Sequence, residues 1–276
     1  MKKFWISIGL LVVLAGCGQG QESSSETSST GSDAESSLTS SSAQTSTDQS
    51  KSSTKETTTE QKESAETSQP VSSSEETADA SKELAKQFPQ TEFPSEIPHE
   101  NNQALNIASD GNNQKLSVLY YSMDEPLALN HNRLNQEQPI ASYRKETFKT
   151  KQAAKEAVNA VYDKGGQKVD LGHDITGYKQ GAAGSSYLNW QEGNWALVVR
   201  ASNVEGQSPD ETAKDVVEYL EKAFLPAPKD TGQVTIDLNT QDYRAAQVVW
   251  QEDNVVYTVT HQDYLSALEM AVSMAD

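Results

Sequence analysis

The sequence Trp190-Gln191-Glu192-Gly193-Asn194 decides the fold, because it recurs sixty residues later as Trp250-Gln251-Glu252-Asp253-Asn254. Strand-forming residues flank both copies, over 187–190, 195–201, 246–250 and 255–260. Runs of β-branched and aromatic residues on either side of a short polar segment are typical of a β-hairpin. The two copies therefore predict two hairpins.

We expect the hairpin tips at Glu192-Gly193 and Glu252-Asp253, because these residue types tolerate the positive φ of tight turns. In the first hairpin a two-residue loop would place Trp190 opposite Trp195. The second hairpin would follow the same register.

A helix is predicted after each hairpin. Ser208-Pro209-Asp210-Glu211 is a capping box with proline at the first helical position, and it opens a helix that runs to about Phe224. A closing helix is expected from Asp263 to Met274. This order predicts an α+β fold with an antiparallel sheet. Two repeated hairpin-plus-helix units would build that sheet, with the helices packed on one face.

Other segments extend this sheet and add a third helix. Leu116 to Met123 is rich in strand formers. Thr150 is a good N-cap for a helix from Lys151 to about Tyr162, which Gly165 would stop. Shorter strands are predicted over 138–143, 169–171, 175–178 and 233–238.

The N-terminus has the layout of a secretory signal peptide. Lys2 and Lys3 precede an apolar run over 4–14, and the small pair Ala15-Gly16 then precedes Cys17. The apolar run is about a dozen residues, whereas a membrane-spanning helix needs roughly 20. A cleaved signal is therefore favoured over an uncleaved anchor.

The ending Leu14-Ala15-Gly16-Cys17 resembles the lipobox of bacterial lipoproteins. That resemblance implies cleavage before Cys17 and attachment of a diacylglyceryl group to its sulfur. Two acyl chains give stable attachment, whereas one holds a protein only marginally. The expected location is the extracytoplasmic face of the cell membrane, with lipid as the only anchor.

The chain divides into four predicted parts. Residues 1–16 are the signal peptide, and 17–80 are the lipidated cysteine and a Ser/Thr/Glu-rich tether that buries too little apolar surface to fold. Residues 81–115 are an extended, proline-containing lead-in. Residues 116–276 are a single globular domain.

Charge and cysteine usage exclude several function classes. The formal net charge is −18, and residues 81–276 hold 28 acidic and 17 basic residues. Such a chain has no electrostatic attraction for nucleic-acid phosphate, so no nucleic-acid partner is expected. Cys17 is the only cysteine. Lipidation of its sulfur would leave neither a disulfide nor a cysteine nucleophile.

The tail from Val248, reading VVWQEDNVVYTVTHQDYLSALEMAVSM, carries a second resemblance. It is similar to the hairpin-plus-helix ending of uncharacterised extracytoplasmic domains in Gram-positive lipoproteins and in the outer parts of anti-sigma factors. The resemblance implies an extracytoplasmic location and assigns no functional residue.

No catalytic pattern stands out. The four histidines, at 99, 131, 173 and 261, lack metal-ligand spacing, and the Gly-x-Ser-x-Gly elbow is missing. With 28 acidic residues in the domain, some carboxylate pair falls at any chosen distance. We therefore expect no metal and no cofactor, and we favour a protein that is not an enzyme.

The aromatic residues of the predicted strands form the one candidate binding surface. Half of them should face the core, and any that face solvent would suit stacking against a glycan or contact with a protein. The candidates are Tyr187, Trp190, Trp195, Trp250 and Tyr257. The expected function is non-catalytic binding of a cell-wall glycan or surface protein. The alternatives are a solute-binding accessory of a transporter and a cell-wall-acting hydrolase.

Overall fold

A computed structural model describes residues 73–275, with side chains from Ala80 onward, as four α-helices, one 3-10 helix and ten strands. The helices are α1 (Ser73–Gln87), η1 (Asn132–Gln136), α2 (Lys151–Val158), α3 (Pro209–Leu220) and α4 (Tyr264–Val272). The strands are β1 (Ala104–Asn112), β2 (Lys115–Met123), β3 (Ala141–Thr147), β4 (Gln167–Asp170), β5 (Thr176–Ala182), β6 (Ser185–Glu192), β7 (Trp195–Ser202), β8 (Gly232–Asp237), β9 (Ala246–Glu252) and β10 (Val255–His261). The signal peptide, Cys17 and most of the tether lie outside the described residues.

All ten strands form one sheet in the order β1-β2-β3-β10-β9-β8-β7-β6-β5-β4. The fold is α+β, as predicted. The sheet is mixed rather than purely antiparallel, because β7 and β8 pair in parallel. Parallel neighbours need a crossover connection, and α3 lies within the segment that joins these two strands. The prediction of an antiparallel sheet is wrong at this one pair.

The two faces of the sheet are covered differently. Successive residues of a strand point to opposite faces, so Val248 packs in the main core while Val249 packs in a separate cluster with α2. The main core contains buried residues of α1, α3 and α4. The prediction that helices cover one face therefore holds for three helices and is wrong for α2, which lies on the other face.

The folded region begins earlier than the predicted boundary at 116. Ala80, Leu84 and Phe88 recur at helical spacing, and all three are buried in the main core. Strand β1 then forms one edge of the sheet by pairing with β2. The last residues of the predicted tether and the predicted extended lead-in are thus partly helix and strand, because their apolar residues complete the core.

Both repeated pentapeptides do form hairpin tips, one residue later than predicted. Glu192 pairs with Trp195 and Glu252 with Val255, so the two-residue loops are 193–194 and 253–254. Gly193 and Asp253 occupy the first loop position, with φ of 55° and 53°. Trp190 consequently lies opposite Leu197, and the expected Trp190–Trp195 pairing is wrong.

Two helices end earlier than their apolar patterns predict. Helix α2 stops at Val158 because Asn159 adopts the left-handed conformation that closes a helix, so Gly165 is not its stop signal. Helix α3 stops at Leu220, which leaves the side chain of Phe224 77% exposed. The Thr150 cap forms as predicted, and its side chain accepts a hydrogen bond from the Ala153 N–H. Asp263, predicted as the first residue of the closing helix, is its N-cap and accepts from the Ser266 N–H.

Candidate functional site

The tryptophans of the predicted binding surface lie in the core. Trp190, Trp195 and Trp250 are 0%, 7% and 1% exposed. Tyr257 stacks on Trp250 with ring centroids 5.3 Å apart, whereas Tyr187 lies half-buried on the opposite face of the sheet. The five residues therefore do not form one exposed platform. The indole rings pack in the core and not on the surface, because their burial removes a large apolar area from water.

Gly232 allows two of these tryptophans to meet across the sheet. It pairs with Trp195 on one side and with Trp250 on the other. A Cβ atom at this position would lie 2.4 Å from the Trp195 ring. The ring centroids of Trp195 and Trp250 are 6.5 Å apart, a packing distance between aromatic side chains. The absence of a side chain at Gly232 therefore allows the two tryptophan rings to pack in the core.

The glutamate of each tip accepts a hydrogen bond from the tryptophan of the same tip. The Trp190 indole N–H donates to Glu192 at 2.7 Å, and the Trp250 indole N–H donates to Glu252 at 3.1 Å. Partial burial raises the pKa of the Glu192 carboxyl above its ordinary value, and the indole hydrogen bond opposes that rise. These carboxylates satisfy buried indole groups, so the repeated tips are structural features.

The face that carries Arg144, Thr258, Gln247 and Thr235 is the open face of the sheet. Strand register places these residues side by side, since Arg144 pairs with Thr258 and Thr235 with Gln247. Between this face and the end of α2 lies a groove of about 470 Å³. We call it the groove, and it is lined by Arg144, Glu146, Phe148, Ala157, Val158, Asn159, Val161, Val198, Gln233, Thr235, Gln247, Val249, Val256 and Thr258.

One side of the groove is bounded by residues 159–165, which we call the crossing segment. It has no regular secondary structure and runs over the open face from β8 toward β5. The N–H of Val161 donates to the side-chain oxygen of Gln233 at 2.8 Å. The N–H of Asp163 donates to the side-chain oxygen of Asn189 at 2.9 Å. Alternate N–H groups of the crossing segment are thus bound by amide side chains of the sheet.

Three polar side chains in the groove lack such partners. Within residues 80–275, the side chains of Thr235, Gln247 and Thr258 make no hydrogen bond to protein. They are only half-buried, so water can satisfy them in the free protein. The groove therefore presents hydroxyl and amide groups beside the apolar side chains of Val198 and Val249.

Two charged groups line the groove, and one of them is paired. The Glu146 carboxylate lies 3.1 Å from the Lys115 ammonium. Arg144 is exposed and has no ion pair or hydrogen bond within the described part of the chain. The guanidinium of Arg144 is therefore the uncompensated charge of the groove, with five N–H donors available.

Sequence reasoning missed the groove. Its residues alternate along β3, β8, β9 and β10 with the core residues, so the polar positions were visible as the solvent side of amphipathic strands. Nothing in that alternation indicates which strands become neighbours. The alternation is visible in the sequence, but the long-range strand order that brings these residues together is not.

The histidines lie apart in the fold. His261 is buried and donates from Nε2 to the Pro98 carbonyl at 3.0 Å, and burial lowers its pKa below the ordinary value. His173 is exposed, and its hydrogen bond to Glu218 raises its pKa. Among residues 73–275, no group of three or more His, Cys, Asp or Glu side chains is arranged to hold a metal ion.

In the described residues, no helix combines the length and the apolar character needed to cross a membrane. A scan against protein-family models, a search of curated proteins and a search of solved structures each returned no match.

Proposed function

We propose that this chain is a lipid-anchored surface lipoprotein whose domain binds a partner without catalysing a reaction. The main support for this proposal is the groove on the open face. Its lining combines polar side chains that have no hydrogen-bond partner among the described residues with apolar side chains. Ligand sites commonly combine these two features. The lipobox at Leu14-Ala15-Gly16-Cys17 supports the anchor and the extracytoplasmic location.

We also propose that β6-β7-α3 and β9-β10-α4 are two copies of one hairpin-plus-helix unit. Both hairpins have two-residue loops whose first residue has positive φ. Both use the tryptophan indole to bond the glutamate two residues later. Equivalent bonds at equivalent positions support a repeat more strongly than matching letters do.

The anchor is tested with the full chain expressed in a Gram-positive host that is fed an alkyne-tagged fatty acid. Wild type should acquire the tag and sediment with membranes. Cys17→Ala should do neither, because it lacks the sulfur that would carry the lipid. An untagged wild-type protein, or a tagged Cys17→Ala protein, would contradict the anchor.

The groove is tested by filling it. Thr235→Trp would place an indole in the groove, and Thr176→Trp is the matched control on an exposed strand threonine that does not line it. Immobilised full chains are exposed to cell-wall glycan fragments and to a random peptide library. Wild type and the control should retain the same ligand, and Thr235→Trp should lose it. Equal retention by all three would contradict a binding role for the groove.

A further inference from the structure

The crossing segment provides an internal example of what the open face binds. Its backbone N–H groups at Val161 and Asp163 donate to Gln233 and Asn189, whose side chains are buried at 6% and 7% exposure. The Gln180 amide donates to the Gly165 carbonyl at 3.2 Å. Side chains of three strands thus bind the backbone of a peptide segment that lies across them.

The groove continues this surface over the neighbouring strands. Its sheet residues come from the adjacent strands β3, β10, β9, β8 and β7. Four inter-strand spacings of about 4.8 Å give a length of about 19 Å. At about 3.3 Å per residue, this length matches an extended peptide of about six residues.

Three polar side chains of the groove have the chemistry of the crossing segment's site but no hydrogen-bond partner in the described residues. The side chains of Gln247, Thr235 and Thr258 make no hydrogen bond within residues 80–275, whereas those of Gln233 and Asn189 already hold the crossing segment. Amide and hydroxyl groups both accept hydrogen bonds from a peptide N–H and donate to a peptide carbonyl. The valines beside them can receive apolar side chains.

One end of the groove favours negative charge. Arg144 has no counter-charge, since the nearby Glu146 carboxylate is paired with Lys115. A guanidinium presents N–H donors in a fork that matches a carboxylate. A ligand with a carboxylate at the β3 end would therefore gain an ion pair without breaking one.

A glycan fits this surface less well than a peptide. Glycan recognition by stacking needs exposed aromatic rings, and the described tryptophans are at least 93% buried. Phe148 is the one aromatic side chain among the described residues that line the groove. The amide-rich surface is instead matched to a peptide backbone.

From these observations we infer that the groove binds an extended peptide and that Arg144 pairs with an acidic side chain of that peptide. This inference rests on the proposed function, because it specifies the ligand of the same groove. It names a ligand class that the acidic net charge of the chain does not suggest.

The test starts with a library of random nonapeptides, acetylated and amidated at their ends so that only side chains carry charge. Full-length wild type selects from the library, and the enriched peptide is remade with its Asp or Glu changed to Asn or Gln. Affinities are measured by fluorescence anisotropy for wild type, Arg144→Gln, Arg144→Lys, Thr235→Trp and Thr176→Trp. Chitotetraose serves as the glycan probe.

We expect enrichment of an acidic residue at one position. Neutralising that residue should weaken binding to wild type about tenfold, and Arg144→Gln should weaken the acidic peptide by a similar factor. The two changes together should cost little more than either alone, since they remove the same interaction. Arg144→Lys should recover part of the affinity, and Thr235→Trp should abolish binding.

The outcomes separate the inference from the function on which it rests. A peptide without acidic preference, or one equally sensitive to neutralisation in wild type and Arg144→Gln, would overturn the role of Arg144. Chitotetraose binding that Thr235→Trp removes, without peptide selection, would overturn the peptide and leave the binding function standing. If Thr235→Trp changes the binding of neither probe, both the peptide inference and the proposed binding function of the groove are contradicted.

Discussion

The two hairpin tips share four of five residues and a set of hydrogen bonds but differ in their surroundings. Gln191 and Gln251 each donate from the side-chain amide to the carbonyl of the first loop residue, at 3.0 and 2.6 Å. Gln191 is exposed, whereas Gln251 is 0% exposed and also donates to the Lys151 carbonyl at 3.0 Å. Local bonds therefore follow from local sequence, and burial follows from what packs against the tip.

The neighbours of the tips explain this difference. The first tip lies beside the connection that follows α3, where the Asn194 side chain donates to the Pro228 carbonyl. The second tip lies against the start of α2, where the Asn254 side chain donates to the Phe148 carbonyl at 2.8 Å. The first residue of α2 accepts a hydrogen bond from the Gln251 amide, whereas within the described residues the Gln191 amide donates only to Gly193 of its own tip.

The tips should respond most strongly, and alike, to loss of their tryptophans. Trp190→Ala and Trp250→Ala should each lower the free energy of unfolding by about 3–5 kcal/mol, because both indoles are fully buried. Urea denaturation measures the change. Tyr187→Ala, on the half-buried opposite side of β6, is the control and should cost less. A difference of several kcal/mol between the two tryptophan variants would break the equivalence of the hairpins.

Gln251→Ala and Gln191→Ala should lower the free energy of unfolding by different amounts. We expect Gln251→Ala to destabilise the fold by about 1–3 kcal/mol, because it removes two hydrogen bonds and leaves a buried cavity. The change at exposed Gln191 should stay within about 0.5 kcal/mol. Equal losses in paired urea titrations would show that burial does not distinguish the two tips.

The first loop position tests the backbone contribution alone. Gly193 has positive φ, and a Cβ atom there would meet nothing within 4 Å, so Gly193→Ala introduces conformational strain without a clash. We expect a loss of about 1 kcal/mol. Gly193→Asp, which copies the second tip, should cost less because Asp tolerates this conformation. Thermal unfolding compares the two variants, and a larger loss for Asp would contradict the shared geometry.

The smallest expected effect is the pH dependence from Glu192. Its pKa is raised in the folded protein, so the native state holds this proton more tightly than the unfolded state. Its contribution is therefore greatest below the unfolded pKa of about 4.5 and is lost as pH rises through the folded pKa.

Glu192→Gln should remove this loss, so its stability relative to wild type should increase from about pH 4 to pH 7. Solvent reaches the carboxyl in part, and the change should be smaller than that at Gly193. Urea midpoints across this pH range measure it. A Glu192→Gln profile that parallels wild type throughout would contradict the raised pKa.

Several elements were readable from sequence because their signals are local. The caps at Thr150 and Ser208 each depend on one side chain and a few neighbouring N–H groups. The hairpins depend on strand formers around a loop residue that accepts positive φ. The stop of α2 is not readable from sequence, because nothing local marks Asn159 as the residue that adopts the left-handed conformation.

The groove could not be read in the same way. Its residues come from strands far apart in sequence, and β3 meets β10 only because the chain returns from the opposite half of the sheet. Trp195 and Trp250 were candidates for a binding surface although strand aromatics more often pack in a core. Their burial was decided by α3 and α4 on that face, together with the room left by Gly232.

The sequence by itself determined the α+β class, the two hairpins with their following helices and the helix caps at Thr150 and Ser208. It also predicts a lipid address at Cys17. These depend on residues near one another in the chain. Tertiary structure alone decided the parallel β7–β8 pair, the burial of the tryptophans and the groove around Arg144. Long-range pairing chooses which alternating side chains become neighbours, and no local pattern carries that information.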